Sequence, residues 1–177
     1  MIVKFTKEKI FVIDVEKCDG CRDCIKACSM KHFGVETAEH SRIRIEEFPD
    51  GNLYVPVVCQ ACGDSLCIKV CPMNARVKLE NGAVVTDEDR CIGCRTCVYV
   101  CPTGAPVENP ASGKLMTCDR CMEDEEVPLC AKACAEQQAL KIIDARDVPR
   151  ITARACAAKI KRAYKPPISR SDNHTDA

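Results

Sequence analysis

The sequence predicts a small α+β fold in which short hairpins and short helices gather around cores that are not hydrocarbon. Three observations lead there. Leu, Ile, Val and Phe number only 39 of 177 residues, near the level below which a highly charged chain stays unfolded, so an oily core is thin. Seventeen residues are cysteine, and all but one fall into four groups of four. Between the groups stand turn signals flanked by short apolar runs, the pattern of hairpins.

The elements follow in chain order. Phe11 to Val15 reads as a strand, and Leu140 to Asp144, near the opposite end of the cysteine-bearing region, as a strand able to pair with it. Arg42 to Phe48 and Leu53 to Val58 flank Pro49-Asp50-Gly51-Asn52, a hairpin. Arg76 to Glu80 and Ala83 to Asp87 flank Asn81-Gly82, the strongest two-residue hairpin signal. Short helical turns are expected after the third cysteine of each group. Pro149 to Tyr164 reads as a helix, with Pro149 in its first turn and Pro166-Pro167 stopping it. Its apolar face is Ala153, Cys156, Ala157, Ile160 and Tyr164. The expected divisions are residues 1–58, 59–104, 105–144 and 145–177.

Charge narrows the function. Basic and acidic residues balance at 26 each, which argues against a nucleic-acid binder. No stretch approaches the roughly 18 apolar residues of a membrane span. Lys4, Lys7, Glu8 and Lys9 occupy the place of an apolar leader, and no twin-arginine pair is present, so a cytoplasmic location is expected unless a bound partner carries the protein across a membrane. Residues 145–177 hold eight basic residues against three acidic ones. That basic helix reads as packing on its own domain, with a docking arm as the sharper alternative.

The cysteine groups are periodic. Cys18, Cys21, Cys24 and Cys28 share their spacing with Cys91, Cys94, Cys97 and Cys101, and aligning residues 12–28 on 85–101 gives eight identities: Val12/Val85, Asp14/Asp87, Gly20/Gly93, Arg22/Arg95 and the four cysteines. Duplication is the simplest account. Cys59, Cys62, Cys67 and Cys71, and Cys118, Cys121, Cys130 and Cys134, are loop-expanded versions. A disulfide framework belongs to small secreted chains. Structural zinc prefers two short-range pairs separated by a longer loop. The run C-x2-C-x2-C-x3-C-P instead is the bacterial ferredoxin signature, in which three cysteines hold one 4Fe-4S cube and the fourth reaches a second. Cys71-Pro72 and Cys101-Pro102 complete it; Cys28-Ser29 and Cys134-Ala135 lack the proline but no ligand. Four 4Fe-4S clusters are expected. Gly20 and Gly93, each before a ligand, give the backbone room to approach.

With Cys-Asp-Gly-Cys-Arg at 18–22 and Cys-Asp-Arg-Cys at 118–121, the protein resembles the four-cluster, ferredoxin-like electron-transfer subunits of molybdenum or tungsten oxidoreductases and some hydrogenases. Within that family it is most similar to the iron–sulfur subunits of tungsten aldehyde oxidoreductases. The resemblance implies tandem ferredoxin-like units and a nested wiring: Cys59, Cys62 and Cys67 with Cys101; Cys91, Cys94 and Cys97 with Cys71; Cys18, Cys21 and Cys24 with Cys134; Cys118, Cys121 and Cys130 with Cys28. Spacing alone equally permits pairing group one with two and three with four. The implied partners are a tungsten- or molybdenum-cofactor catalytic subunit and a further redox partner, a ferredoxin or a flavin/NAD subunit.

Sixteen thiolates saturate four cubes, and no nucleotide loop, flavin signature or nucleophile–base pair is present. A relay of single electrons is therefore expected in place of bond-making chemistry. Head-to-tail self-association would lengthen such a relay. The alternatives are a free-standing polyferredoxin serving hydrogenase or carbon monoxide dehydrogenase, and a metal-stabilised interaction scaffold. Cys156 reads as a buried structural thiol. His32, His40 and His174 read as solvated or structural, with His32 also able to influence a cluster four residues past Cys28. Arg22, Lys26, Lys69 and Arg95 read as surface charges or as offsets to cluster charge. Four oxidised cubes at about −2 each, thiolates included, would bring the loaded protein to roughly −8.

Overall fold

The computed structural model describes residues 9–121 and 127–149, with 153, 154 and 157 besides. The protein divides into two units, residues 1–145 and 146–177. In the second, the described positions 148, 149, 153, 154 and 157 are helical; Cys156, His174 and most of the helix expected from Pro149 to Tyr164 lie outside the described residues.

The first unit is built from four antiparallel two-stranded sheets and four helices. Strand β1 (Lys9–Ile13) pairs with β8 (Leu140–Asp144), with Phe11 opposite Ile142. Strands β2 (Arg44–Phe48) and β3 (Leu53–Val57) form the first hairpin, closed by a tight helical turn over Pro49–Gly51 and by Asn52 in the left-handed region at φ +46°. Strands β4 (Arg76–Lys78) and β5 (Val84–Thr86) form the second. Its loop is three residues long and not two, because Lys78 pairs with Val84 and the Leu79 N–H donates to the Ala83 carbonyl at 2.8 Å. The Asn81 side chain explains the slip. Its Oδ1 accepts from Ala83 N at 2.9 Å, a local side-chain turn that competes with the tight two-residue loop. The sequence reading overlooked a last hairpin, β6 (Val107–Glu108) with β7 (Leu115–Met116). Asn109-Pro110 and Ser112-Gly113 were its turn signals.

Each helix encloses the third cysteine of its group rather than following it. Helices α1 (Asp23–Phe33), α2 (Leu66–Lys69), α3 (Thr96–Tyr99) and α4 (Leu129–Ala133) all begin one residue before that cysteine. Where proline follows the fourth cysteine, at Pro72 and Pro102, the helix stops before it, since proline disfavours helical geometry in the residue ahead and lacks an N–H. Ser29 stands there in the first group, and α1 runs on to Phe33 and ends on Gly34 at φ +70°.

The topology ties cysteine groups together in a fixed way. The strand preceding group one, β1, pairs with the strand following group four, β8; the strand preceding group three, β5, pairs with the strand following group two, β4. Both ties close with the same bond: Asp14 N–H donates to Ala139 O at 2.8 Å, and Asp87 N–H to Ala75 O at 2.7 Å. The core between β1, β8 and α1 holds Phe11, Ile25, Ile43, Val58 and Leu140 together with Cys24, Cys28, Cys118, Cys130 and Cys134. Sulfur thus fills much of the volume that hydrocarbon fills in other small domains. Among the described residues no helix is long and apolar enough to cross a membrane.

Leu140 is fully buried where β8 meets this core. Leu140→Ala is expected to lower stability by about 2–5 kcal/mol, read as a fall in the denaturation midpoint, whereas Ile92→Ala, on a side chain 63% exposed, stays within about 0.5 kcal/mol.

Candidate metal centres

One backbone device recurs in all four cysteine groups. The residue before the second cysteine has positive φ: Gly20 at +76°, Ala61 at +48°, Gly93 at +68° and Arg120 at +69°. That left-handed residue curls the loop so that neighbouring N–H groups turn inward towards the sulfurs, an anion-binding concavity. Glycine suits it at no steric cost, and at two positions the surroundings leave room for nothing larger. A Cβ on Gly20 would lie 2.6 Å from the Tyr54 ring, and one on Gly93 would lie 3.0 Å from Gly113 O. In the two Cys-Asp-x-Cys groups an aspartate fixes the same loop. Asp19 Oδ1 accepts from Cys21 N at 3.1 Å, and Asp119 Oδ1 from Cys121 N at 3.0 Å.

The structure gathers the sixteen cysteines of the four groups into sets. Cys59, Cys62, Cys67 and Cys101 line one cavity, and Cys71, Cys91, Cys94 and Cys97 line its neighbour. Cys24 faces Cys134, Cys21 and Cys18. Cys118 and Cys121 interact with Cys28, and Cys130 interacts most with Cys118, Cys28 and Cys121 and least with Cys24. Each set therefore joins three sulfurs of one group to the fourth cysteine of another. All sixteen are free thiols.

The spacing of the sulfurs discriminates between metal types. A tetrahedral zinc with bonds of about 2.3 Å would hold its sulfurs roughly 3.8 Å apart. Among the described residues, His32, Asp119 and Cys121 alone bring three potential ligand atoms within 4.8 Å of one another, and no three sulfurs do. The sulfurs instead line two cavities, one walled by Cys59, Cys62, Cys67 and Cys101 and the other by Cys71, Cys91, Cys94 and Cys97. Soft thiolates set around such a gap fit a polynuclear iron–sulfur core and not a single ion.

Backbone donors complete the sites. Ala75 N–H donates to Cys71 Sγ at 3.2 Å and Ala105 N–H to Cys101 Sγ at 3.4 Å. Each of these donors stands four residues after its cysteine. The Cys-Pro turn delivers it through a left-handed residue, Asn74 at φ +49° or Gly104 at +61°. Without proline, Cys28 Sγ takes its bond from Arg42 N at 3.3 Å, beyond α1, while Cys118 Sγ accepts from Arg120 N at 3.3 Å within its own loop.

Comparison with known proteins agrees with this geometry. Residues 51–143 match the 4Fe-4S dicluster domain family, and residues 15–31 match a 4Fe-4S binding domain. This protein belongs to the 4Fe-4S dicluster family. Over 142 residues it is 41% identical to the polyferredoxin-like subunit of an aliphatic sulfonate oxidoreductase of Pyrococcus furiosus, covering 77% of this chain and 79% of that one. It is 35% identical over 141 residues to one of the chains of the anaerobic dimethyl sulfoxide reductase of Escherichia coli, covering 70% and 68%. Over 114 residues it is 36% identical to one of the subunits of the tetrathionate reductase of Archaeoglobus fulgidus, covering 63% and 54%. Among solved structures, a component of the active-site complex BamBC of benzoyl coenzyme A reductase overlays with a TM-score of 0.47 at 27% identity, covering 85% of this chain and 89% of that one.

Burial sorts the sulfurs of this dicluster protein. Burial pushes the Cys24 thiol up to about 12, with Cys134, Cys21 and Cys18 adding to it, and pushes Cys121 up to about 11. Burial likewise pushes Cys118 and Cys130 well above the usual thiol range. Bare thiolates are therefore disfavoured at neutral pH, and cation loading must supply the free energy that deprotonates them. Cys94, on the surface, is the opposite case: the Thr96 hydroxyl at 3.4 Å holds it low. Burial raises Cys101, but the Thr103 hydroxyl and nearby N–H groups outweigh it.

The cations picked out by their proximity in sequence are paired with carboxylates, although Arg95 also lines the cavity of Cys71, Cys91, Cys94 and Cys97. Arg22 pairs with Glu47, Arg95 with Glu108, Lys26 with Asp23 and Lys69 with Asp64, all on the surface. Their charge is spent on carboxylates. His32, by contrast, lies 4.0 Å from Cys121 Sγ and 3.5 Å from Asp119, which also pairs with Arg42; burial, then Arg42, pushes the imidazole down towards its neutral form. His40 packs edge-on against Phe33 and meets Thr37 at 2.7 Å. The buried cations beside sulfur are Arg76 and Arg120. Arg76 stands outside the cysteine groups, whereas Arg120 lies within Cys118-Asp119-Arg120-Cys121 and was not singled out there for its charge.

Gly20→Ala is expected to destabilise the iron-loaded protein by about 1 kcal/mol or more through its positive φ, and further through the Tyr54 ring. Adding Tyr54→Ser recovers only the steric share. Denaturation midpoints of the two single variants and the double variant measure both parts.

Proposed function

We propose that this protein is an electron-relay subunit carrying four 4Fe-4S clusters, held by Cys18, Cys21, Cys24 and Cys134; by Cys59, Cys62, Cys67 and Cys101; by Cys71, Cys91, Cys94 and Cys97; and by Cys28, Cys118, Cys121 and Cys130. The observation that carries this reading is the three-plus-one gathering of sulfurs, supported by membership of the 4Fe-4S dicluster family. When bound, such clusters take up and release single electrons at cysteine-saturated iron.

The residues of this protein do the rest. Backbone N–H groups of Ala75, Ala105, Arg42 and Arg120 donate to sulfur and stabilise its negative charge, which raises the potential at each site. The Phe11–Leu140 core keeps water from Cys118 and Cys130. Cys21, Cys62 and Cys94 are exposed and give the sites edges at which a docked partner could exchange electrons.

The partner is read more finely from kinship. Relatives described as components of a dimethyl sulfoxide reductase, a tetrathionate reductase and an aliphatic sulfonate oxidoreductase support a molybdenum- or tungsten-cofactor catalytic subunit here. An aldehyde oxidoreductase of the tungsten type is the narrowest form of that proposal, resting on the resemblance of the cysteine motifs. A ferredoxin or flavin/NAD subunit would stand at the other end of the relay, in the cytoplasm, with head-to-tail self-association as a further extension.

Anaerobically purified protein is expected to contain about 16 irons and to co-purify with a cofactor-bearing catalytic subunit. Cys101→Ser should abolish the cluster of Cys59, Cys62 and Cys67, and Cys71→Ser that of Cys91, Cys94 and Cys97, as read by electron paramagnetic resonance. Loss of the Cys18 cluster on changing Cys71 would overturn the grouping, and zinc in place of iron would overturn the function.

A further inference from the structure

Two guanidinium groups are buried where charge is hardest to accommodate. Arg76 is 4% exposed and Arg120 3%, and in each the Nε has no hydrogen-bond partner. Neither meets a carboxylate among the described residues, whereas Arg22, Arg42, Arg44, Arg90 and Arg95 each do. An arginine cannot escape such a position by losing its proton. Burying an unpaired cation is strongly unfavourable unless fixed negative charge lies beside it.

What lies beside Arg76 is sulfur from two sites. Its side chain lines both the cavity of Cys59, Cys62, Cys67 and Cys101 and that of Cys71, Cys91, Cys94 and Cys97. Nη2 is 4.0 Å from Cys67 Sγ, and Nη1 donates to Thr86 Oγ1 at 2.6 Å, directly across the β4–β5 hairpin. The preceding N–H, of Ala75, bonds Cys71. Two consecutive residues thus address one site through the backbone and its neighbour through the side chain. Arg120 is set at the next junction. Its N–H bonds Cys118 Sγ, its Nη1 donates to Lys9 O at 2.8 Å, and it lines a cavity together with Gln60, Ala61 and Cys62 of the Cys59 loop.

We propose that Arg76 and Arg120 are shared counter-charges, each standing between two neighbouring clusters and raising the potential of both. Arg76 serves the Cys59 and Cys91 sites; Arg120 serves the Cys59 and Cys118 sites. The Cys59 site feels both cations, and the Cys18 site neither. This inference rests on the cluster reading above and adds positioning residues that act through charge. Placing one cation between two anionic sites favours the reduced form at each and lessens the repulsion between two reduced neighbours.

Redox titrations of the intact, iron-loaded protein, monitored by electron paramagnetic resonance, test this, with the Cys59 and Cys91 signals assigned through the variants above, the Cys118 signal through Cys28→Ser and the Cys18 signal through Cys134→Ser. Arg76→Gln is expected to lower the reduction equilibrium constant of the Cys59 and Cys91 clusters at least tenfold, about 59 mV for one electron. Arg120→Gln should do so for the Cys59 and Cys118 clusters, and the exposed control Lys69→Gln, whose charge is paired with Asp64, for none. Arg76→Lys should recover much of the loss. Unchanged potentials in iron-replete Arg76→Gln, or an equal shift in all four clusters, would overturn the proposal. If Arg76→Gln loses iron, retention in Arg76→Lys supports the charge role, and loss from both variants overturns it in favour of a purely structural fork. Wild-type protein without clusters would instead sink the functional reading, a separate outcome visible before any arginine is changed.

Discussion

Three sulfurs from one short loop cannot surround a polynuclear core, and the need for a fourth from elsewhere in the sequence governs this fold. A C-x2-C-x2-C loop curls through one left-handed residue and then enters a helix that carries its third sulfur. The next cysteine along leaves at the far end of that helix, too distant to face the same gap. In three groups it caps or closely follows the helix, at Cys71, Cys101 and Cys134. It faces another group's loop instead. The sheets are what bring the groups together: β1–β8 joins groups one and four, and β4–β5 joins groups two and three. Strands of three to five residues are too short to hold a domain by themselves, so strand pairing and sulfur gathering each depend on the other.

Charge is the second half of the same constraint. Sulfurs as buried as Cys118 and Cys130 resist ionisation while bare, and arginines as buried as Arg76 and Arg120 resist dehydration. Each problem would ease the other with iron bound, because the guanidinium groups would lie in one low-dielectric region with negatively charged sites and offset part of their charge. Folding and cluster assembly are coupled for that reason. The thin hydrocarbon content of the sequence reflects the same coupling, since Cys24, Cys28, Cys118, Cys130 and Cys134 pack in the core beside Phe11 and Leu140.

Local pattern carried the reading of ligands, hairpins and closing strands because each depends on residues near one another in sequence or on strict spacing. The four groups, the Pro49–Asn52 hairpin and the meeting of the first and last strands were all legible in this way. The loop at Asn81-Gly82 was misjudged because the Asn81 side chain bonds Ala83 N and lengthens the turn. The helix starts were misplaced by one or two residues because the left-handed residue before the second cysteine lets the helix begin ahead of the third. Of the two roles open to the cations within the cysteine groups, the surface one agrees with their ion pairs. Arg22 and Arg95 lie within cysteine loops, yet their own positive φ, +64° and +61°, is followed by side chains that reach Glu47 and Glu108 on the next hairpin. Arg76 lies outside the cysteine groups, and its place in the lining of two sulfur cavities became visible only in the tertiary fold.

Seven of the eight identities between residues 12–28 and 85–101 can now be sorted by what demands them. Four are sulfurs. Gly20 and Gly93 are held by positive φ and by a neighbour that excludes a Cβ, the Tyr54 ring in one case and a backbone carbonyl in the other. Arg22 and Arg95 occupy matching left-handed positions at the start of α1 and α3, with matching partners. Asp14 and Asp87 end the strands before their groups and donate to Ala139 and Ala75, which begin the strands after the partner groups. That last correspondence reaches beyond the aligned stretch: it matches group four to group two as the structural complement of one copy each. Pairing one with two and three with four would need β1 beside β4 and β5 beside β8, and the sheet order has neither. The repeat therefore bears on the wiring through its strands, independently of where any sulfur points.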